Sequence, residues 1–495
     1  MKLFNDLSDA LVRHGATPAF CINGELYTYA QLADAVRRTK AWVKIHCTPE
    51  ERHIGLMAHD DLPTYASILA LWSEGKAYVP ISVANPPSRN ASIMEQAGIR
   101  TVLTSAPSPI QAARVVRTDE LPEGSMGLSA VDTPQEAHAF ILFTSGTTGL
   151  PKGVPITRAN LEGFIRAFDA LGFTLDSSDR CLQMFDLTFD LSIMSFLVPL
   201  LNGACVYTVP PNGIKYAIIS GLLEEERLTI ALMVPNMINN LRPYFPEIDC
   251  PHLRYSLFCG EALPLDITTE WSRCVPNARI LNVYGPTENT IFCTQYEFER
   301  ERENKSLNGI LSIGRAMAGN EVIVVDEDLK PVAAGQTGEF CLAGDQLTPG
   351  YLNDPEKNKT AFFHLERTHG ATRFYRTGDL CRTDEQGDVL YVGRLDQQAK
   401  IQGYRVELSE IEHYARQFLQ RVSAVALAVT GATGTTTVEL VVESEVTDSK
   451  ALIGHLRGVL PAYMIPTRIH CVPDFPLNAN GKTDRKALAR SIAET

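Results

Sequence analysis

An α/β fold is predicted, with a large N-terminal domain of layered α/β subdomains, a small β subdomain, and a small mobile α+β C-terminal domain. Three features of the sequence predict it. Apolar strands alternate with helical stretches to about residue 330, the pattern of layered α/β proteins. Between about 310 and 395 this gives way to short strands and tight turns. After Gly393 a stretch of about a hundred residues mixes helices and strands as a unit of its own. The domains are placed at 1–394 and 395–495.

In chain order, short apolar strands are read at 66–72, before Gly75, and at 77–81. The run 139–143 reads as a buried strand. Thr157 then caps a helix with Leu161, Phe164, Ile165 and Phe168 on one face. Strands follow at 204–209, 230–234, 255–259 and 279–284, each ending in a loop rich in Gly, Pro, Asn or Glu. In open α/β sheets such carboxyl ends bind ligands. Strands at 321–326 and 339–342 belong to the β subdomain. Helices at 409–419 and 450–460, with strands at 425–429 and 438–442, form the last unit.

The 495 residues carry 45 basic against 58 acidic side chains, net −13. That charge argues against nucleic-acid binding through the general field, so an anion site must be built locally. Acidic residues arrive before any secretory apolar segment, and no run reaches the length of a membrane span. A cytoplasmic monomer without membrane or nucleic-acid partners is expected. The eleven cysteines are odd in number and scattered without a Cys-x-x-Cys pair, so reduced core thiols are expected.

Four hydroxyls, three glycines and Lys152 fall within residues 143–153. Thr144, Ser145, Gly146, Thr147, Thr148 and Gly149 let backbone N–H groups approach an anion, and Lys152 adds charge, which suits a polyphosphate better than an ordinary turn. It is not a Walker A loop: the Gly-Lys-Thr at 481–483 has Pro476 where the first glycine belongs. Beyond the strand at 279–284, Gly285 and Pro286 force a turn that presents Thr287 and Glu288. A carboxylate beside phosphate is repulsive without a metal, so Glu288 suits Mg²⁺ and Thr287 a phosphate oxygen; alone, the motif also reads as a capped turn. Tyr284 offers a flat face for a base. Asp379 follows a short strand and suits two ribose hydroxyls; taken alone, a structural turn is the simpler reading. Residues 393–407 have the glycines and polar character of a hinge, or of a charged linker. Lys482 is a single lysine in a loop of the small domain, where most lysines are merely solvated.

Together and in this order, these motifs resemble the adenylate-forming (ANL) superfamily of acyl-CoA synthetases, luciferases and nonribosomal peptide synthetase adenylation domains. The likeness covers essentially the whole chain and includes a weaker match at 71–81. It implies that residues 144–152 cradle the β- and γ-phosphates of ATP and that Tyr284 stacks on adenine. Gly260, Glu261, Asn282, Gly285 and Thr287 would line the nucleotide, Glu288 would hold Mg²⁺, and Asp379 and Arg394 would hold ribose. Asp396 would be the pivot and Lys482 the catalytic bridge between carboxylate and phosphate, with Thr287 and Glu288 assisting.

Asp190 matches the segment in which an aspartate grips an α-amine. In an apolar run a carboxylate is costly unless paired, and a substrate ammonium would pair it; a helix N-cap is the alternative. By motif position Leu191, Met194, Leu257, Cys259, Val283, Ile291 and Phe292 wall a small, uncharged side chain. The runs at 189–194 and 257–264 resemble those of D-alanine:D-alanyl carrier protein ligases, with proline or a small L-amino acid left open. With thirteen residues after Lys482, the resemblance implies transfer to a separate phosphopantetheinylated carrier protein. The alternatives are an acyl-CoA ligase for a carboxylic acid, or a non-catalytic nucleotide-binding homologue.

Overall fold

Parallel strands build the two large sheets of the computed structural model, which describes residues 2–112, 114–124, 126–146, 150–210, 212–367, 370–396, 398–420, 422–431, 434–476 and 483–493. Among the described residues one sheet has nine strands, in the order Arg315–Ala316, Thr294–Glu297, Arg279–Tyr284, Tyr255–Phe258, Ile230–Met233, Arg180–Gln183, Cys205–Thr208, Pro18–Ile22 and Glu25–Thr28. The run from Arg279–Tyr284 to Pro18–Ile22 is parallel, with antiparallel strands at both edges. Strands 230–233 and 255–258 are buried at every position, which is why they read as continuous apolar runs. A second sheet orders Arg114–Arg117, Thr101–Thr104, His53–Met57, Ala77–Ile81, His138–Thr144 and Lys152–Thr157. The β subdomain orders Asn320–Val325, Gly338–Gly344, Gly370–Thr383 and Phe362–Arg367, with Val389–Arg394 paired to the long strand.

The chain divides into two compact units. The first is Met1–Val83, Met94–Leu142 and Gly153–Leu395; the second is Ala84–Ile93, Phe143–Lys152 and Asp396–Thr495. The second contains the hairpin Gln398–Ile401/Tyr404–Glu407, a sheet of Ala424–Thr430, Thr436–Glu443 and Arg468–Val472, and helices Leu408–Phe418, Ser449–Arg457 and Arg485–Ala493. Ile401, Val406, Ile411, Leu440, Leu452 and Met464 are among its buried core residues.

Thr157 caps the helix Arg158–Asp169 as expected: its hydroxyl accepts from Asn160 N while the Asn160 side chain accepts from Thr157 N. Leu161, Phe164 and Phe168 are buried and Ile165 packs against the same core. The strand expected at 66–72 is instead part of the helix Leu62–Ser73. Asp61 caps it by accepting from Thr64 N at 2.9 Å, and every residue from Thr64 to Ser73 is buried. A helix buried all round has no polar face, so its apolar run cannot be told from a buried strand by periodicity.

All eleven cysteines are free thiols and all but Cys471 are buried; burial pushes the Cys293 thiol up to about 12. Among the described residues no helix is long and apolar enough to cross a membrane.

Candidate active site

In the first unit, Phe258 lies opposite Asn282 in parallel register. Residues 259–261 and 285–288 therefore leave two neighbouring carboxyl ends side by side. Gly260 has φ +92°, a conformation suited to glycine, and Glu261 Oε2 accepts from Asn236 N at 2.9 Å. Asn282 is buried, its amide donating to the carbonyls of Leu311 and Ser312 at 3.3 and 2.9 Å. Gly285 is required by close approach, since a Cβ there would stand 2.4 Å from Phe292 Cα. The Gly285→Ala variant is expected to destabilise the first unit by about 1–3 kcal/mol through overpacking, measured as a lower urea midpoint.

Tyr284 Oη donates to Asp379 Oδ2 at 2.5 Å and Arg394 Nη1 donates to Asp379 Oδ1 at 2.6 Å. Asp379 and Arg394 are register partners on adjacent antiparallel strands. The turn before Asp379 is held from within: Thr377 Oγ1 donates to Phe340 O and accepts from Asp379 N, and Glu339 Oε1 accepts from Gly378 N. Burial first, and then the Asp379 charge, hold the Tyr284 phenol well above its usual value, so it stays a neutral donor. The carboxylate keeps acceptor capacity beyond these two bonds.

Thr287 opens the short 3₁₀ turn Thr287–Asn289 and is half-buried. Glu288 is fully buried, and Tyr351 Oη donates to its Oε1 at 2.7 Å. Among the described residues no group of three or more His, Cys, Asp or Glu forms a metal cage. One oriented carboxylate fits Mg²⁺, which is usually held by one or two carboxylates together with substrate phosphates.

Asp190 precedes the helix Leu191–Leu201 but makes no side-chain bond to its first turn. Its Oδ2 accepts from Ile291 N at 3.2 Å, at 7% exposure. The helix-cap alternative is thereby set aside, and the carboxylate faces the turn after Glu288. Leu191, Met194, Leu257, Cys259, Val283, Ile291 and Phe292 are all buried in one apolar cluster. The Phe292 ring stands edge-on to Phe164 at 5.1 Å and also packs on Phe168, so it fills core around the helix Arg158–Asp169.

The glycine-rich loop lies in the second unit. Lys152 Nζ pairs with Glu407 Oε1 at 3.2 Å, and Gly146 N donates to Glu410 Oε2 at 3.1 Å. Glu410 also pairs with Arg89 at 2.6 Å; burial raises its pKa, opposed by the Arg89 charge. Ser145 Oγ donates to Arg405 O and accepts from Glu407 N. The Thr144 hydroxyl is buried without a hydrogen-bond partner among the described residues. An N–H and an ammonium of this loop thus already address carboxylate oxygens, the chemistry that binds phosphate. Asp396 Oδ1 accepts from Gln398 N at 3.1 Å. Leu395 N donates to Gly378 O, so the first unit ends one residue before Asp396. Thr147, Thr148, Gly149 and Lys482 lie outside the described residues.

Sequence reasoning missed Glu339, Gln346, Tyr351, Glu407 and Glu410. Residues 344–351, which leave a buried strand with two glycines and a proline, were the available signal for Gln346 and Tyr351.

Residues 7–352 match the model of the AMP-binding enzyme family. The D-alanine--D-alanyl carrier protein ligase of Lacticaseibacillus casei is 31% identical, with 97% of each chain covered. Surfactin synthase subunit 2 of Bacillus subtilis is 32% identical over 97% of this chain and 13% of that protein. Among solved structures, the Vibrio cholerae adenylation domain AlmE, in complex with glycyl-adenosine-5'-phosphate, has a TM-score of 0.85 at 25% identity, covering 99% of this chain and 97% of the other.

Proposed function

This chain belongs to the AMP-binding enzyme family, and we propose that it is a ligase that activates D-alanine, or a similarly small uncharged α-amino acid. The amino-acid carboxylate attacks the α-phosphate of ATP, giving aminoacyl-AMP and pyrophosphate. The thiol of a phosphopantetheinylated carrier protein then attacks the acyl carbon, giving a thioester and AMP. The observation that carries this reading is Asp190, a carboxylate in a buried apolar setting, positioned by Ile291 N. A substrate ammonium makes a charge-assisted hydrogen bond to that carboxylate which an acid without an amine cannot make.

Tyr284 and Asp379 hold the nucleoside, with Arg394 fixing the Asp379 carboxylate for ribose; Gly260, Glu261, Asn282 and Gly285 shape the surrounding loops. Glu288 would hold Mg²⁺, which would supply positive charge to the phosphates. Thr287, the loop 144–149 and Lys152 supply donors to phosphate, and Lys482 bridges the reacting groups. One anion attacks another, so charge stabilisation and positioning supply the catalysis. Leu191, Met194, Leu257, Cys259, Val283 and Ile291 keep the side-chain site apolar and small, backed by Phe292. Residues 1–394 form the catalytic core and 395–495 a lid turning about Asp396. The substrate and partner are those of the D-alanyl carrier ligases, and a cytoplasmic enzyme has ATP at hand.

The test is mass spectrometry of a phosphopantetheinylated D-alanyl carrier protein after incubation with ATP and D-alanine. A gain of one alanyl group supports the reading, and an unmodified carrier contradicts transfer. The Asp379→Asn variant is expected to raise KM for ATP about tenfold or more, the loss of about 1.5–3 kcal/mol from hydrogen bonds to a charged group, measured by pyrophosphate exchange at saturating amino acid.

A further inference from the structure

Two consecutive β-branched residues, Thr290 and Ile291, have φ values of 49° and 74°. Both are fully buried. This left-handed region is unfavourable for such side chains and persists only where the surroundings over-determine it. Gln346 provides that constraint. It is fully buried, and its Nε2 lies 3.2, 2.9 and 2.9 Å from the carbonyl oxygens of Asn289, Thr290 and Phe292. One carboxamide thus gathers three carbonyls of a single turn. Its orientation is fixed by Asn320 Nδ2, which donates to Gln346 Oε1 at 2.6 Å, and Thr290 Oγ1 donates to Gln346 O at 2.6 Å. Within the clamped turn, Ile291 N donates to Asp190 Oδ2.

We propose that Gln346 is a positioning residue for the substrate amine. By holding residues 289–292 in the left-handed turn, it aims the Ile291 N–H at Asp190 and fixes that carboxylate where an ammonium group meets it. The assignment rests on the amine-binding role of Asp190. Gln346 touches no reacting atom and acts through the turn. A leucine at 346 keeps the bulk and loses all three donor contacts, which frees the turn to relax and the carboxylate to rotate.

The experiment is a double-mutant cycle on the full-length enzyme, read by pyrophosphate exchange with Gln346→Leu, Asp190→Ala and the pair. The expected result is that Gln346→Leu raises KM for the amino acid about tenfold, leaves KM for ATP within about twofold, and adds nothing further in the Asp190→Ala background, the non-additivity of groups that act as one. Additive penalties, or equal rises in both KM values, overturn the proposal by making Gln346 a general structural residue. If Asp190→Ala leaves KM for the amino acid unchanged, the amine-site reading itself fails; if that variant is impaired and Gln346→Leu is not, only the Gln346 assignment fails. Should Gln346→Leu not fold, Asn320→Ala, which releases the carboxamide without emptying the 346 site, is put through the same cycle. Non-additivity with Asp190→Ala then supports the proposal, and additive penalties overturn it.

Discussion

The Lys482→Ala variant is expected to lose adenylation by about 10²–10³-fold or more, the scale of removing one preorganised donor from a developing charge. It should retain thiol transfer from preformed aminoacyl-AMP. The two half-reactions make opposite demands. Adenylation brings a carboxylate against a triphosphate and needs a cation between them. Thioester formation needs that same space for an incoming thiol. In the proposed mechanism, a lysine on a small unit turning about Asp396 would satisfy both by being present for one step and absent for the other. Single-turnover assays of each half-reaction give the check. Equal loss in both steps contradicts the alternation of Lys482 between them.

The Asp190→Ala variant is expected to lower kcat/KM for the amino acid by about 10²–10³-fold, as removing one partner of a buried ion pair costs about 3–5 kcal/mol. KM for ATP should be unchanged. Asp190 precedes buried Leu191, Ser192, Ile193 and Met194, a setting in which a carboxylate needs partners. Its bond to Ile291 N orients the group. Competition between the amino acid and its deaminated analogue measures the selectivity directly. A variant that still prefers the amino acid removes the ground for assigning the substrate class.

Local patterns carried much of this structure. The strand His138–Thr144 and the capped helix Arg158–Asp169 follow from a short apolar run and a threonine ahead of a 3.6-residue period, whereas the strand Lys152–Thr157 between them was not read from the sequence. The turn after Tyr284 follows from Gly285 and Pro286. The helix Leu62–Ser73 reads as a strand in the sequence because burial on every side erases the polar face that reports the period. Long-range pairing was illegible for a different reason. Tyr351 reaches Glu288 across 63 residues, Gln346 reaches Thr290 O across 56, and Arg89 reaches Glu410 across 321. No local pattern encodes which distant partner a buried polar group will find, although burial requires that it find one. The same limit explains why residues 84–93 and 143–152 belong with the C-terminal unit, although nothing in their own sequence marks them as part of it.

Pyrophosphate exchange into ATP, run with both enantiomers of alanine, serine and proline beside their deaminated counterparts, tests the central claim most directly. Exchange that depends on a small amino acid, with D-alanine strongest, is the predicted result. Exchange supported only by acids lacking the amine would contradict it.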